Sequence, residues 1–203
     1  MKKILIATNN KGKAKDFETL FSPYGFKVQT LNDLEQDIDV EETGVTFEEN
    51  AILKAETVSK LLGIMVIADD SGLEIDKLQG APGVYSARYA GEPKNDEANI
   101  DKVLSKLQGV PEEERTARFR CVLAVAGPDR ETVTFSGSCD GVILEERRGS
   151  NGFGYDPIFY SVEKGSSMAE LSPEEKGEIS HRGAALRQLK EHLPQLLDLG
   201  DGQ

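Results

Sequence analysis

The sequence predicts an α/β fold built on a mixed sheet with flanking helices. Residues 3–30 read strand, helix, strand, the order of a βαβ unit with parallel strands. Further along, two runs of branched apolar residues flank Gly127-Pro128-Asp129, as an antiparallel hairpin requires. Helical periodicity fills the intervals between and after these runs.

Each element has its own signal. Lys3 to Ala7 is a short buried strand, and Gly12 to Phe21 carries Ala14, Phe17, Leu20 and Phe21 at helical spacing. Pro23 and Gly25 end that helix, and Phe26 to Thr30 is the second strand. Asp33 to Glu42 is an acidic loop. Thr46 followed by Glu49 has the pattern of a capping box, which opens a helix running to Leu62. A strand then runs from Ile64 to Ala68 and ends in Asp69-Asp70. Gly80-Ala81-Pro82-Gly83 breaks the chain, and Asp96 to Leu107 forms the next helix. Phe119 to Ala126 and Thr132 to Ser138 are the hairpin strands, with Val142-Ile143-Leu144 as a third run extending the sheet. Gly149 to Gly154 is a glycine-rich loop. Ser172-Pro173-Glu174-Glu175 caps a short helical turn stopped by Gly177. Ser180 caps a final helix, with Ala184, Leu186, Leu189 and Leu193 on its apolar stripe.

Length and charge narrow the function. A chain of 203 residues makes one large domain, 1–198, with residues 199–203 as a frayed tail. With 24 Lys+Arg against 36 Asp+Glu, the net charge is −12, which argues against an electrostatic grip on a nucleic-acid polymer. A small phosphorylated ligand stays possible, because a few basic residues can converge on one pocket. Cys121 and Cys139 lack metal-ligand spacing and read as packing residues in a reducing compartment. Met1-Lys2-Lys3 before Ile4-Leu5-Ile6 is like the start of a signal peptide, but the apolar run stops at Thr8. No apolar run approaches the roughly 18 residues a membrane span needs. The expectation is an acidic cytoplasmic protein.

Several stretches can carry chemistry. Asp69-Asp70-Ser71-Gly72 follows an apolar run, so two carboxylates crowd the end of a strand; that suits a divalent cation or acid/base work. Thr8-Asn9-Asn10-Lys11-Gly12-Lys13 lies at a strand–helix junction, where unpaired amides and the helix dipole attract an anion. Gly12-Lys13 fits part of the Walker pattern, but Ala7 and Ala14 stand where it needs Gly and Ser/Thr. The alternative for this loop is a polar turn with solvated lysines. Asn50 and Lys54 share a helical face and can point at one ligand. Glu41-Glu42 is a solvated acidic loop on one reading; on the other, Glu41 with Asp70 supplies the small carboxylate set that magnesium takes beside substrate phosphates. In Asn151-Gly152-Phe153-Gly154-Tyr155-Asp156, glycines allow close backbone approach and a ring can stack on a base; a tight turn with rings in a minor core is the competing reading. His181 and Arg182 put positive charge in the first turn of a helix, where the dipole opposes it unless an anion or acceptor is near.

Together these motifs resemble a known family. Thr8-x-Asn10-x-x-Lys13, Glu41-Glu42-Thr43-Gly44-x-Thr46-Phe47-x-Glu49-Asn50-Ala51-x-x-Lys54-Ala55, Ala68-Asp69-Asp70-Ser71-Gly72-Leu73, Gly80-Ala81-Pro82-Gly83-x-Tyr85-Ser86-Ala87-Arg88, Gly152-Phe153-Gly154-Tyr155-Asp156-Pro157 and Ser180-His181-Arg182-Gly183 are similar, in this order, to the dITP/XTP pyrophosphatases, or inosine triphosphatases. The resemblance implies two lobes around a nucleotide cleft, commonly in a homodimer. It implies Mg²⁺-dependent hydrolysis of ITP, dITP and XTP to the monophosphate and pyrophosphate, a house-cleaning of the nucleotide pool. It also implies residue roles. Asp70 is similar to the proton acceptor that also meets the metal, Glu41 to a metal-linked carboxylate, and Ser71 to a substrate contact. Thr8, Asn9, Asn10, Lys11, Gly12 and Lys13 look like the triphosphate loop, with Lys54 as a further phosphate contact. Phe153, Gly154, Tyr155, Asp156, Lys176, His181 and Arg182 look like the base and sugar pocket. The alternatives are a Maf-like pyrophosphatase for another modified nucleotide and a non-catalytic nucleotide sensor.

Overall fold

The computed structural model describes residues 2–197; the side chains of residues 2, 11 and 12 lie outside that description, as does the tail expected to fray at 199–203. Strand β1 (Lys2–Ile6) leads into helix α1 (Lys11–Phe21), β2 (Phe26–Thr30), α2 (Phe47–Leu62) and β3 (Val66–Ile75). Helix α3 (Asp96–Lys106) follows a 3-10 turn at Gly83–Arg88, and β4 (Thr116–Gly127) and β5 (Arg130–Ile143) come next. The chain closes with β6 (Phe159–Ser161), β7 (Ser166–Ser167), α4 (Pro173–Ile179) and α5 (His181–Leu196). No helix among the described residues is long and apolar enough to cross a membrane.

The sheet is mixed, as expected, with strand order β2-β1-β3-β4-β5-β6-β7. β1 runs parallel to β2, with Ile6 opposite Thr30, and parallel to β3, with Ile6 opposite Ile67. The β4–β5 loop is only Pro128-Asp129, which makes the pair a hairpin. β5, β6 and β7 are antiparallel, with Val142 opposite Tyr160 and Tyr160 opposite Ser167.

The chain forms two compact units. The first comprises the described residues of Met1–Asp70, Val122–Ser136 and Ala185–Gln203, the second Ser71–Cys121 and Gly137–Ala184. In the first, Ile4, Ile6, Phe17, Phe21, Val58, Ile67 and Leu189 are buried. In the second, Leu73, Ile75, Ile100, Leu107, Phe119, Ile158 and Phe159 form the core, the rings of Phe119 and Phe159 lying 4.4 Å apart. Buried Arg115 donates to the carbonyls of Leu107, Ile143 and Leu144, so its charge is taken up by backbone acceptors at the ends of α3 and β5.

Three boundaries differ from expectation. β3 does not stop at Asp69-Asp70 but continues to Ile75, because buried Leu73 and Ile75 restore the alternation of a strand after the acids. Val142-Ile143 is no separate strand: β5 runs unbroken from Arg130, its middle disguised by Gly137, Asp140 and Gly141. α4 passes through Gly177 to Ile179, since its Ser172–Glu175 capping box supports the short helix beyond that residue.

Candidate active site

The first unit gathers an acid–lysine cluster at the β1–α1 junction and the middle of β3. Asn10 shapes the loop: its amide oxygen accepts from Lys13 N at 3.1 Å, and its own N–H donates to buried Thr8 Oγ1 at 3.1 Å. The carbonyl of Asn9 accepts from Asn32 Nδ2 at 3.2 Å. The turn is therefore held by its own polar residues, and α1 starts with its amides aimed back at the loop. Lys13 projects from that first turn, and its Nζ lies 2.6 Å from Asp69 Oδ2. The Lys11 and Gly12 side chains fall outside the described residues.

Helix α2 supplies the facing wall. The Thr46–Glu49 capping box forms, with Glu49 N donating to Thr46 Oγ1 at 3.1 Å. Asn50, one residue on, is buried, and its Oδ1 accepts from Gly44 N at 2.7 Å. That bond turns the Asn50 amide NH₂ toward the Asp70 carboxylate, to which it hydrogen-bonds. Gly44 is needed for this approach, since a Cβ there would sit 2.6 Å from Asn50 Oδ1. Lys54, one turn further along α2, donates to the Asp69 carbonyl at 3.1 Å and pairs with Glu42. Burial works to lower the Lys54 pKa, but Glu42, Asp69 and Asp70 outweigh it and the net shift is upward. The lysine stays cationic.

The adjacent acids of β3 thus have different surroundings. Asp69 is the counter-ion of Lys13. Asp70 faces Asn50 and Glu42, and burial, reinforced by Glu42, pushes its carboxyl up to about 6, against the pull of Lys54, Asn50 and Lys13. Its carboxylate at neutral pH is basic enough to accept a proton from water in a reaction. Glu41, expected to serve a metal with Asp70, is exposed, and its neighbour Glu42 is the one that reaches this cluster. The motif alone does not separate two identical neighbours; the reach of Lys54 does.

The second unit gathers the remaining expected residues. Phe153 holds its ring 55% exposed. Lys176 Nζ lies 4.7 Å from the centre of that ring and pairs with buried Asp156. Asp156 also accepts from Phe153 N at 3.0 Å. Gly152 has φ +76°, and a Cβ there would lie 2.0 Å from Asp156 Oδ2, so only glycine fits this bend. Tyr155 does not face outward: its ring is buried, its hydroxyl donates to Ser86 O at 2.7 Å, and burial pushes its pKa up. Ser180 Oγ accepts from Gly183 N at 3.0 Å and caps α5. Arg182 is buried in that first turn, with Nη2 3.4 Å from Ser71 Oγ, and His181 stacks on Phe119 at 5.0 Å.

Among the described residues no group of three or more His, Cys, Asp or Glu is disposed to hold a metal. The donors in this cluster are the hard carboxylate oxygens of Asp70 and Glu42. Magnesium takes one or two carboxylates and completes its shell with water and substrate phosphates, so this set fits that ion better than zinc or calcium.

A buried carboxyl beside two lysines and a helix N-terminus, on a mixed α/β sheet, suits the class of phosphate-handling hydrolases. The particular family is also defined. The chain belongs to the Ham1 family, which it matches over residues 4–192. It is 57% identical to a dITP/XTP pyrophosphatase of Bacillus cereus over 197 residues, 96% of each chain. It is 58% identical to the dITP/XTP pyrophosphatase of Bacillus anthracis, covering 96% of this chain and 98% of the relative. The solved structure of the Staphylococcus aureus Ham1 protein superposes with a TM-score of 0.90 at 52% identity, over 96% of this chain and 100% of that one.

Proposed function

We propose that this protein is a nucleoside triphosphate pyrophosphatase that hydrolyses the deaminated purine nucleotides ITP, dITP and XTP to the monophosphate and pyrophosphate. The names of its relatives support the class. The observation that carries the chemistry is Asp70, a buried carboxyl raised to about 6 beside the cations Lys13 and Lys54. Asp70 orients a water, takes its proton as the oxygen attacks the α-phosphorus, and pyrophosphate leaves. Lys13, Lys54 and the amides of the Thr8–Lys13 loop receive the triphosphate and neutralise charge building on the leaving group. Asp70 and an acid of the Glu41-Glu42 pair would hold Mg²⁺, and the bound ion would supply further neutralisation of phosphate charge.

Phe153 offers an exposed ring for stacking, Ser71 a hydroxyl for the substrate, and His181, Arg182 and loop amides offer donors. Hypoxanthine and xanthine carry an acceptor oxygen at C6, where adenine carries a donor. Donors in the pocket pair with the oxygen and leave the amine unsatisfied, a mismatch that discriminates by about 10⁴–10⁵ in favourable sites. Guanine shares the C6 oxygen, so its rejection rests on its 2-amino group. The reading further includes the cytoplasm, where the nucleotide pool is made, and a homodimer, as the resemblance implies.

The test is pyrophosphate release from dITP, XTP, dATP and dGTP, with Mg²⁺ and with chelator. Fast metal-dependent release from dITP and XTP, with little from the ordinary purines, is expected. No release from dITP or XTP, or equal release from all four, overturns the reading.

A further inference from the structure

The segment Gly80–Arg88 and the start of α3, which the proposed reaction leaves without a role, connect directly to the base loop. Gly154 N–H donates to Asp96 Oδ2 at 3.0 Å, and the Tyr155 hydroxyl donates to Ser86 O at 2.7 Å. We propose that Asp96 and Ser86 are positioning residues: they hold the Phe153–Asp156 loop in its base-receiving shape, and so set base affinity and discrimination more than turnover. The inference rests on the reading of Phe153 as the stacking ring.

Each residue of the loop is tied down, and the Phe153 ring faces out beside Lys176. Phe153 N–H goes to Asp156, Gly154 N–H to Asp96, the Tyr155 hydroxyl to Ser86, and the Asp156 carboxylate to Lys176. The Asp96 bond is charge-assisted, so it is among the stronger ones the loop makes. Asp96 is also the first residue of α3, where the helix dipole favours its charge.

Ser86 is itself fixed. Its hydroxyl accepts from Leu73 N at 2.9 Å and donates to Gly83 O at 2.6 Å. Asn99, three residues after Asp96 on the same face of α3, donates to the carbonyls of Ser86 and Ala87 and accepts from Ala90 N at 2.7 Å. One face of α3 therefore grips both the base loop and the 3-10 turn, and Ser86 ties that turn to β3 two residues beyond Ser71. Holding the loop in its bound shape removes an ordering cost from base binding. The bonds of this network run to the base loop and the 3-10 turn, so its effect is expected on base binding.

Steady-state kinetics on Tyr155→Phe, Asp96→Ala and Asp96→Asn test this, with dITP and dATP as substrates. Inorganic tripolyphosphate serves as a base-free competitive inhibitor, and Phe153→Ala as a reference. Tyr155→Phe and Asp96→Ala are each expected to raise KM for dITP about five- to tenfold, the size of one lost hydrogen bond, with kcat within about twofold. The dITP/dATP preference falls with them, and the tripolyphosphate Ki stays at the parent value. Asp96→Asn keeps an acceptor for Gly154 N–H and recovers most of the loss. Phe153→Ala raising KM while Tyr155→Phe and both Asp96 variants match the parent overturns the positioning role alone. Loss of kcat and tripolyphosphate affinity together in Tyr155→Phe also overturns it, because a general structural role would do that. No change in Phe153→Ala overturns the base-loop reading and this inference with it.

Discussion

Lys13 and Asp69 form an ion pair at 2.6 Å, with the Asp69 side chain 1% exposed, and this pairing gives the two neighbouring acids of β3 different work. Asp69 spends its charge on the lysine of the phosphate loop. Asp70 faces Asn50 and Glu42, and burial together with the charge of Glu42 keeps its carboxyl raised against the pull of Lys54, Asn50 and Lys13.

Replacing Asp70 by Asn is therefore expected to cut kcat for dITP by about 10²–10⁴-fold, the usual worth of a general base. The same change removes a buried charge that its surroundings oppose, so the variant should melt no lower than the parent at pH 7.5. Kinetics and a thermal melt on one preparation check both halves. Parent-like turnover would remove Asp70 from the reaction; a much lower melting temperature would mean its burial is not a strain on the fold.

Asp69→Asn should behave otherwise. Lys13 loses the carboxylate that orients it, and a partly buried ammonium is left with a neutral neighbour. Weaker triphosphate binding is expected, with KM for dITP and Ki for tripolyphosphate both rising about tenfold, and a loss of stability of about 1–3 kcal/mol. Unchanged KM and Ki would mean that the pair does not position the lysine for phosphate.

Features governed by near neighbours were legible in the sequence. The Thr46–Glu49 box and the Ser180 cap depend on residues three apart, the βαβ start follows from the order of three short local patterns, and the structure has all of them as expected. Strand limits were not, because an apolar run is a poor ruler where function places acids in a strand: Asp69-Asp70 interrupts the run of β3 without ending its backbone pairing or its buried alternation at Leu73 and Ile75. The candidate site was legible by residue type, since the Asn50–Lys54 face and the Thr8–Lys13 loop announce themselves. Partners were not. That Glu42 reaches Lys54, that Asp96 holds Gly154 across 58 residues, and that Tyr155 turns inward all depend on tertiary contacts. Asp96 gave no signal beyond that of a helix start.

Gly44 offers a test of how Asn50 is aimed. Its N–H holds Asn50 Oδ1, and a Cβ at Gly44 would fall 2.6 Å from that oxygen and 2.8 Å from Glu49 Cβ. Gly44→Ala must push Asn50 aside or shift the start of α2, costing about 1–3 kcal/mol as overpacking does. Because Asn50 then loses its hold on Asp70, kcat should fall several-fold beyond any loss of folded protein. Urea unfolding gives the first quantity and kcat per folded molecule the second. A destabilised variant with parent kcat would show that Asn50 is not an orienting group.

Asp76, in the second unit, provides a pH-dependent prediction away from the site. Its carboxylate accepts from Thr116 Oγ1 at 2.7 Å and from Arg118 Nη2 at 3.0 Å, and these bonds hold its pKa below the ordinary 3.8. The sign follows from linkage. A carboxyl depressed on folding contributes stability that is fully present above its unfolded pKa and is lost as pH falls through the folded value. Asp76→Asn should accordingly be less stable than the parent at pH 7, with the gap closing as pH drops from about 4 toward 2. The side chain is 46% exposed, so screening keeps the contribution to a few tenths of a kcal/mol, up to about 1. Urea unfolding of both proteins at pH 7, 4 and 3 measures the gap, and 0.5 M salt should narrow it at pH 7. A gap that stays constant across this range would mean that the neutral amide, and not the lost charge, accounts for the difference.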